Sequence, residues 1–541
     1  MFSRYKKINT NFLYSLVLFL LIVVLLITTM NFLNYGLDTI WDEGFYMLWL
    51  DSDYKDQQVT QSYTIINYFG NYFKNDLLSF RIFSFFFKFI LYSTLVVYSK
   101  KVFELYSFIT KISDILVLAI LFSFSFLINN KVISYRELEQ SFVLFSWLFS
   151  LHFLKYTGKS QYLLLFLIAF SSTLAFLVIP PPGMLNALLI SVYLFLNRLK
   201  FIHLIYLVVF AIISIVFYSL TVSNLFVNYD KILHSGISTS NSSNKYSLQG
   251  ILTTYIPLFK SFLTKYAILA IITLFLSKYV RNKFFTIFIY LFYTIYCFYQ
   301  FDYSTDFIGF LSLALIISIR SYPTISKKQI LNCIILLSLP IASIVGSAMP
   351  PSINLYYFLP IWGGLILYIQ TSSKIIKPLF VLFIVLFSII SISKLDQLFK
   401  ENLGNKSTSP YFLEFADTRI KGIGITRKQK KYFQKTKEIL TKTKFDSKKD
   451  LFFTFNYDLM TVYVFKGKLN SEPFHRLSMY VLHYQKGHRF KKPKYLLLDE
   501  ISTKIVEKNN QWDFPKHYDR YSIGCPDISN TERFLFCRKQ N

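Results

Sequence analysis

The sequence predicts a polytopic α-helical membrane protein of about 13 transmembrane helices, closed by a C-terminal α+β extracytoplasmic domain. Three observations carry that prediction. Of 541 residues, 53% are hydrophobic and 19% aromatic, with a mean hydropathy of +0.41. Apolar runs recur from residue 11 to about residue 395. At about 1.5 Å per residue, such runs approach the ~30 Å thickness of a hydrocarbon core. The charges between the runs alternate along the chain, as a membrane topology requires.

The spans fall near 12–33, 79–99, 113–128, 141–154, 161–179, 184–197, 202–220, 266–280, 284–300, 306–320, 330–348, 354–372 and 376–395. The first, "NFLYSLVLFLLIVVLLITTMNFL", is too long for the apolar core of a signal peptide and lacks a small-residue cleavage site, so it reads as a retained helix. One set of connections holds Arg4, Lys6 and Lys7, then Lys100 and Lys101, Lys155 and Lys159, Arg198 and Lys200, and further pairs to Lys377. Lys and Arg concentrate on the cytoplasmic side, so this set is inside. The other set includes 34–78, "NNKVISYRELEQ" and the 221–265 loop, and is outside. An odd number of spans starting inside leaves the C-terminal region outside. The domains expected are thus 1–395, transmembrane, and 396–541, soluble and extracytoplasmic.

The first outer loop, 34–78, contains "QQVTQSYTIINYFGNYFKND", whose apolar spacing reads as an amphipathic helix. The 221–265 loop is rich in Ser, Asn and Gly. Past residue 396, "KGIGITRKQKKYFQKTKEILTKTKFDSKKD" reads as a polar helix, and "LFFTFNYDLMTVYVF" and "KYLLLDE" as strands. The Lys surplus of this region reads as a solvated face against anionic lipid heads. Cys525 and Cys537 can pair if the tail lies in an oxidising compartment. The net charge of +28 falls in short clusters with no nucleic-acid module among them, so no nucleic-acid partner is expected.

The chemistry-bearing residues gather at outer helix ends. In "NYGLDTIWDEGFYMLWL", Asp42 and Glu43 stand together among Trp41, Phe45, Tyr46 and Trp49, a setting unlike that of an ordinary solvated loop. Adjacent carboxylates on an extended stretch point to opposite faces, so one of them is expected to meet substrate. Arg81 sits at the mouth of the second span and Lys88 seven residues on, two turns along the same face. A lysine inside a span is costly unless it serves a site. Arg136, Glu137 and Glu139 open the fourth span, either as site residues or as a capped helix start. The seven histidines show no metal spacing. No cofactor is expected, and a divalent cation stays open.

The pair in the first outer loop resembles that of the GT-C-fold glycosyltransferases, which include protein O-mannosyltransferases and the aminoarabinose transferases of lipid A. There "DE" precedes an aromatic helical turn; here the run is Asp42-Glu43-Gly44-Phe45-Tyr46. "LLSFRIFSFFFKFILYSTLVVYSKKVF" looks like the family's second span, with Arg81 at its arginine, and "NLYYFLPIWGGLIL" resembles a late helix, with Tyr357 and Pro360 in register. Where the family has Arg in that late run, this chain has Tyr356, and "AFLVIPPPGML" lacks the family's lysine. The resemblance implies transfer of a sugar from a polyprenyl-phosphate donor to an acceptor hydroxyl on the extracytoplasmic face of a bacterial plasma membrane. The acceptor would be a lipid-linked glycan, lipid A, a wall polymer or a protein. Asp42 would be the base and Glu43 its partner, with inversion at the anomeric carbon, and Arg81 would hold the departing phosphate. Lys88, Tyr46, Arg136, Glu137 and Tyr357 would line the substrate. A lipid-linked glycan transporter or flippase and an O-antigen polymerase or ligase are the alternatives. The first would show matched, broken half-repeats, and the second a large late outer loop rich in arginine.

Overall fold

A computed structural model describes residues 10–34, 36–37, 43–50, 61–102, 131–155, 158–197, 199–222, 418–454, 458–470, 491–508, 511–526 and 531–539, with the single positions 225, 253, 256 and 413. The helical region comprises α1 (Thr10–Asn34), α2 (Glu43–Trp49), α3 (Gln61–Gly70), α4 (Leu77–Val102), α5 (Tyr135–Lys155), α6 (Ser160–Val178), α7 (Pro180–Asn197) and α8 (Phe201–Thr221). The C-terminal region runs α9 (Arg427–Lys442), β1 (Leu451–Thr454), α10 (Leu459–Val464), β2 (Lys468–Leu469), β3 (Tyr495–Asp499), α11 (Glu500–Lys508), β4 (Tyr518–Gly524) and β5 (Arg533–Arg538).

The expectation of about 13 transmembrane helices needs correction. Among the described residues, only α6 and α8 are long and apolar enough to cross a membrane, and α1 adds a shorter apolar stretch, Phe19–Asn34. Of the other helices expected to span, α5 and α7 are diluted by polar groups, and α4 holds two buried cations, Arg81 and Lys88. α4 carries Arg81, Lys88, Lys100 and Lys101, and α5 opens on Arg136, Glu137 and Glu139. α7 begins with three prolines and contains Asn186 and Asn197. The spans expected near 113–128 and from 266 to 395 lie outside the described residues.

Local sequence explains where the helices begin. At α5, Glu137 N–H donates to Ser134 Oγ at 3.3 Å while Ser134 N–H donates to the Glu137 carboxylate at 2.5 Å, a reciprocal capping box. The same device opens α9, where Gln429 N–H donates to Thr426 Oγ1 at 3.1 Å and Thr426 N–H to Gln429 Oε1 at 3.3 Å. Proline is tolerated in the first turn of α7, because N–H groups there have no intrahelical acceptor.

The sheet has the order β2-β1-β3-β5-β4, with β1 parallel to β2 and β3, and β5 antiparallel to β3 and β4. Alternation along the strands splits the core in two. Phe452, Tyr495, Leu497, Leu535 and Cys537 face α9, α10 and the helical region. Phe453, Leu496, Leu498, Phe534 and Phe536 face Val506 of α11 on the other side. Part of "LFFTFNYDLMTVYVF" departs from its strand pattern, since Leu459–Val464 is helix α10. All six of its residues are buried, so packing on both sides overrides their strand propensity. No disulfide joins Cys525 to Cys537, and Cys537 lies buried in β5.

Candidate functional site

The residues after α1 bind the two regions together. Gly36 N–H donates to Gly424 O at 2.6 Å, and Gly424 N–H donates back to Asn34 O at 2.9 Å. Gly36 adopts φ +73°, a left-handed conformation that a side chain would strain. Gln429 Nε2 of α9 donates to Leu37 O at 2.8 Å. Helix α2 then crosses α10 so closely that a Cβ on Gly44 would stand 2.3 Å from Met460 N. Tyr463 of α10 donates its hydroxyl to Lys74 O at 3.1 Å. The segments between α1 and α4 and the C-terminal domain thus share one interface.

Arg81 is the hub beneath that interface. It is fully buried, with Nε donating to Glu43 Oε1 at 2.7 Å and Nη2 to Glu43 Oε2 at 2.6 Å. Its Nη1 donates to Leu33 O at 2.6 Å and Nη2 also to Gly36 O at 2.9 Å. This guanidinium therefore ties α1, the turn after it, α2 and α4 to one point. A fork-on-carboxylate pair suits such a role, because the planar group satisfies two acceptors at once.

Two turns down α4, Lys88 pairs with Glu137 of α5, both buried. Ser84 lies between the two pairs; its hydroxyl donates to Phe80 O at 2.7 Å and accepts Ile133 N–H at 3.1 Å. Glu139, 1% exposed, stands next along α5, with Asn186 Nδ2 of α7 at 3.5 Å. A polar seam therefore runs from α2 through α4 and α5 to α7. Along it Gln140 Oε1, Asn186 Oδ1 and Trp147 Nε1 are buried without hydrogen-bond partners.

The structure brings together most of the residues singled out in the sequence. Glu43 and Arg81 are paired, as are Lys88 and Glu137. Tyr46 is buried, its ring 6.4 Å from that of Tyr135. Arg136 Nε donates to the Tyr135 hydroxyl at 3.1 Å, with its guanidinium 5.4 Å from that ring. Asp42 and Tyr357 lie outside the described residues.

Lys131 was not singled out. Its ammonium stands 4.5 Å from the Phe32 ring centroid and 3.5 Å from Gly36 O, the carbonyl that Arg81 also uses. Unlike Arg81 it is only half-buried. A usable signal existed, since Lys131 is a cation in a segment assigned to the side poor in them. A second missed pair is Arg533 with Asp458 at 3.0 Å, both buried at the N-terminus of α10. Nearby, burial and then the Asp458 charge push the Tyr432 phenol well above its ordinary pKa. Among the described residues, no three His, Cys, Asp or Glu side chains gather as metal ligands.

No protein-family model, curated protein or solved structure matches the chain.

Proposed function

We propose that the chain is a membrane-bound glycosyltransferase that moves a sugar from a polyprenyl-phosphate donor to an acceptor hydroxyl at the extracytoplasmic face. Helix α8 supports the membrane placement. Its buried residues are Leu207, Ser214, Tyr218 and Ser219, while Phe201, Val208, Ile212, Phe217 and Leu220 are exposed. A helix that hides hydroxyls and displays aliphatic and aromatic groups suits lipid better than water.

The observation that carries the chemistry is the bidentate Glu43–Arg81 pair, 2.6 Å at its shortest, beneath the interface of the two regions. It fixes the start of α2, and Asp42 is the residue just before it. Glu43 is committed to Arg81, which leaves Asp42 to act as base. In the reaction Asp42 takes the proton of the acceptor hydroxyl as that oxygen bonds to the anomeric carbon. The bond from that carbon to the phosphate oxygen breaks, and the lipid phosphate leaves with the electron pair. Attack opposite the leaving group inverts the centre. Arg81 positions the base through Glu43, and the half-buried Lys131 ammonium, 3.5 Å from the same Gly36 carbonyl, is the cation assigned to the departing phosphate.

The test is transfer by the full chain in lipid bilayers, supplied with a panel of polyprenyl-phosphate sugars. Asp42→Asn is expected to lower turnover by about 10²–10⁴-fold with unfolding unchanged. Lys131→Met is expected to slow transfer as well. Undiminished transfer by Asp42→Asn removes the base assignment, and no donor consumption by the wild type across the panel removes the activity.

A further inference from the structure

One face of α9 has no part in that reaction. The helix holds seven Lys or Arg and one acid in sixteen residues. Its apolar side, Tyr432, Phe433 and Leu440, packs against the sheet. Arg427, Lys431 and Lys435 follow one another at four-residue spacing on the opposite side, all exposed, so they form a single cationic stripe. Lys442 continues it past the exposed Glu438 on the same face, its ammonium 6.0 Å from the Tyr521 ring centroid.

The position of this stripe in the molecule says what it meets. α9 lies on the sheet face that packs against the helical region, whereas α11 lies on the far face. Its first turn is tied to the chain leaving α1 through Gln429 to Leu37 O at 2.8 Å, and the segment just before it through Gly424 to Asn34 O at 2.9 Å. The stripe therefore begins beside the end of an apolar helix, in a body whose α8 displays an apolar face outward.

We propose that the Arg427–Lys431–Lys435 face of α9 docks on anionic lipid headgroups and holds the C-terminal domain against the bilayer. Cations on one helical face attract an anionic surface over about a Debye length, roughly 8 Å at physiological salt, and salt screens the attraction. The proposal rests on the membrane placement argued above and is independent of sugar transfer.

Lysine acylation of the full chain in lipid nanodiscs, read by mass spectrometry, tests it. Discs of phosphatidylcholine alone are compared with discs containing phosphatidylglycerol. Lys431 and Lys435 are expected to react about threefold more slowly in the anionic discs, and high salt is expected to abolish the difference. Lys508, exposed on α11 across the sheet, is expected to react equally in both. Equal rates at Lys431 and Lys435 in the two discs, or equal slowing at Lys508, overturn the docking. So does protection that arises only when an oligonucleotide is added to the neutral discs. A chain that fails to enter discs of either kind removes the membrane placement and this docking together; transfer activity bears on neither.

Discussion

The helical region and the sheet domain bury charge in different ways. In the helical region two ion pairs on one helix, Arg81 with Glu43 and Lys88 with Glu137, join segments 38 and 49 residues apart. In the sheet domain two apolar layers alternate along each strand, and the one buried pair described there, Arg533 with Asp458, sits at the edge where β5 meets α10. Apolar helix faces have little to distinguish one neighbour from another, so charge pairing specifies which helices meet. Strand alternation already specifies the sheet, since slipping a register by one residue would turn each layer outward.

The contrast can be broken most sharply at Arg81. Arg81→Met leaves the Glu43 carboxylate buried without its guanidinium, which is expected to cost about 3–5 kcal/mol. Limited proteolysis should then cut the helical region first while β1–β5 remain protected. Simultaneous loss of both regions would mean that they are not separable in this way.

A smaller effect is expected at the interface itself. Gly44→Ala forces a Cβ towards Met460 N, now 2.3 Å from that position, and overpacking of this kind costs about 1–3 kcal/mol. Hydrogen exchange should rise in α2 and α10 and stay unchanged in β3 and β5.

The smallest effect, at moderate pH, separates the domains by titration. In the sheet domain burial pushes the Cys537 thiol from its ordinary 9.0 up to about 12, with the Asp519 charge adding to it. Burial likewise pushes the Tyr518 phenol from 10.0 to about 12, and Tyr495 moves the same way. Burial alone would lower the Lys494 pKa, but its hydrogen bond and charge contact with Asp450 carry it above its ordinary value. All four folded values lie above the unfolded ones, so the unfolded chain releases its protons first. This stability is complete below the unfolded values and is lost as pH rises towards the folded ones. Between about pH 8 and about pH 9.5 only the thiol contributes appreciably, which amounts to less than about 1 kcal/mol. Denaturant midpoints over that range should fall slightly, then steeply once the phenols titrate. A flat profile to pH 11 or so would show these groups to be solvated.

How much of this was legible in the sequence depends on the range of each interaction. The S-x-x-E of Ser134 to Glu137 and the T-x-x-Q of Thr426 to Gln429 announce their capped helices, because capping is local. Leu451–Thr454 and Tyr495–Asp499 read as strands from their apolar runs. Leu459–Val464 reads the same way and is a helix, because its surroundings are set by α2 and the sheet rather than by neighbours in sequence. The carboxylate and the arginine of the candidate site were both visible as unusual residues. Their pairing was not, since nothing local relates Glu43 to Arg81. The count of spans failed for a related reason. Apolar composition does not distinguish a helix packed around buried charge, such as α4 or α5, from one that leaves its apolar side chains exposed, such as α8.

The measurement that bears most directly on the Glu43–Arg81 tie is a double-mutant cycle on the full chain in detergent, with Glu43→Gln, Arg81→Met and both together, read by chemical unfolding. The pair is predicted to show a coupling of at least about 2 kcal/mol, the double variant being far less destabilised than the two single losses summed. Losses that add to within about 0.5 kcal/mol would contradict it, and the start of α2 would then be held by something other than this ion pair.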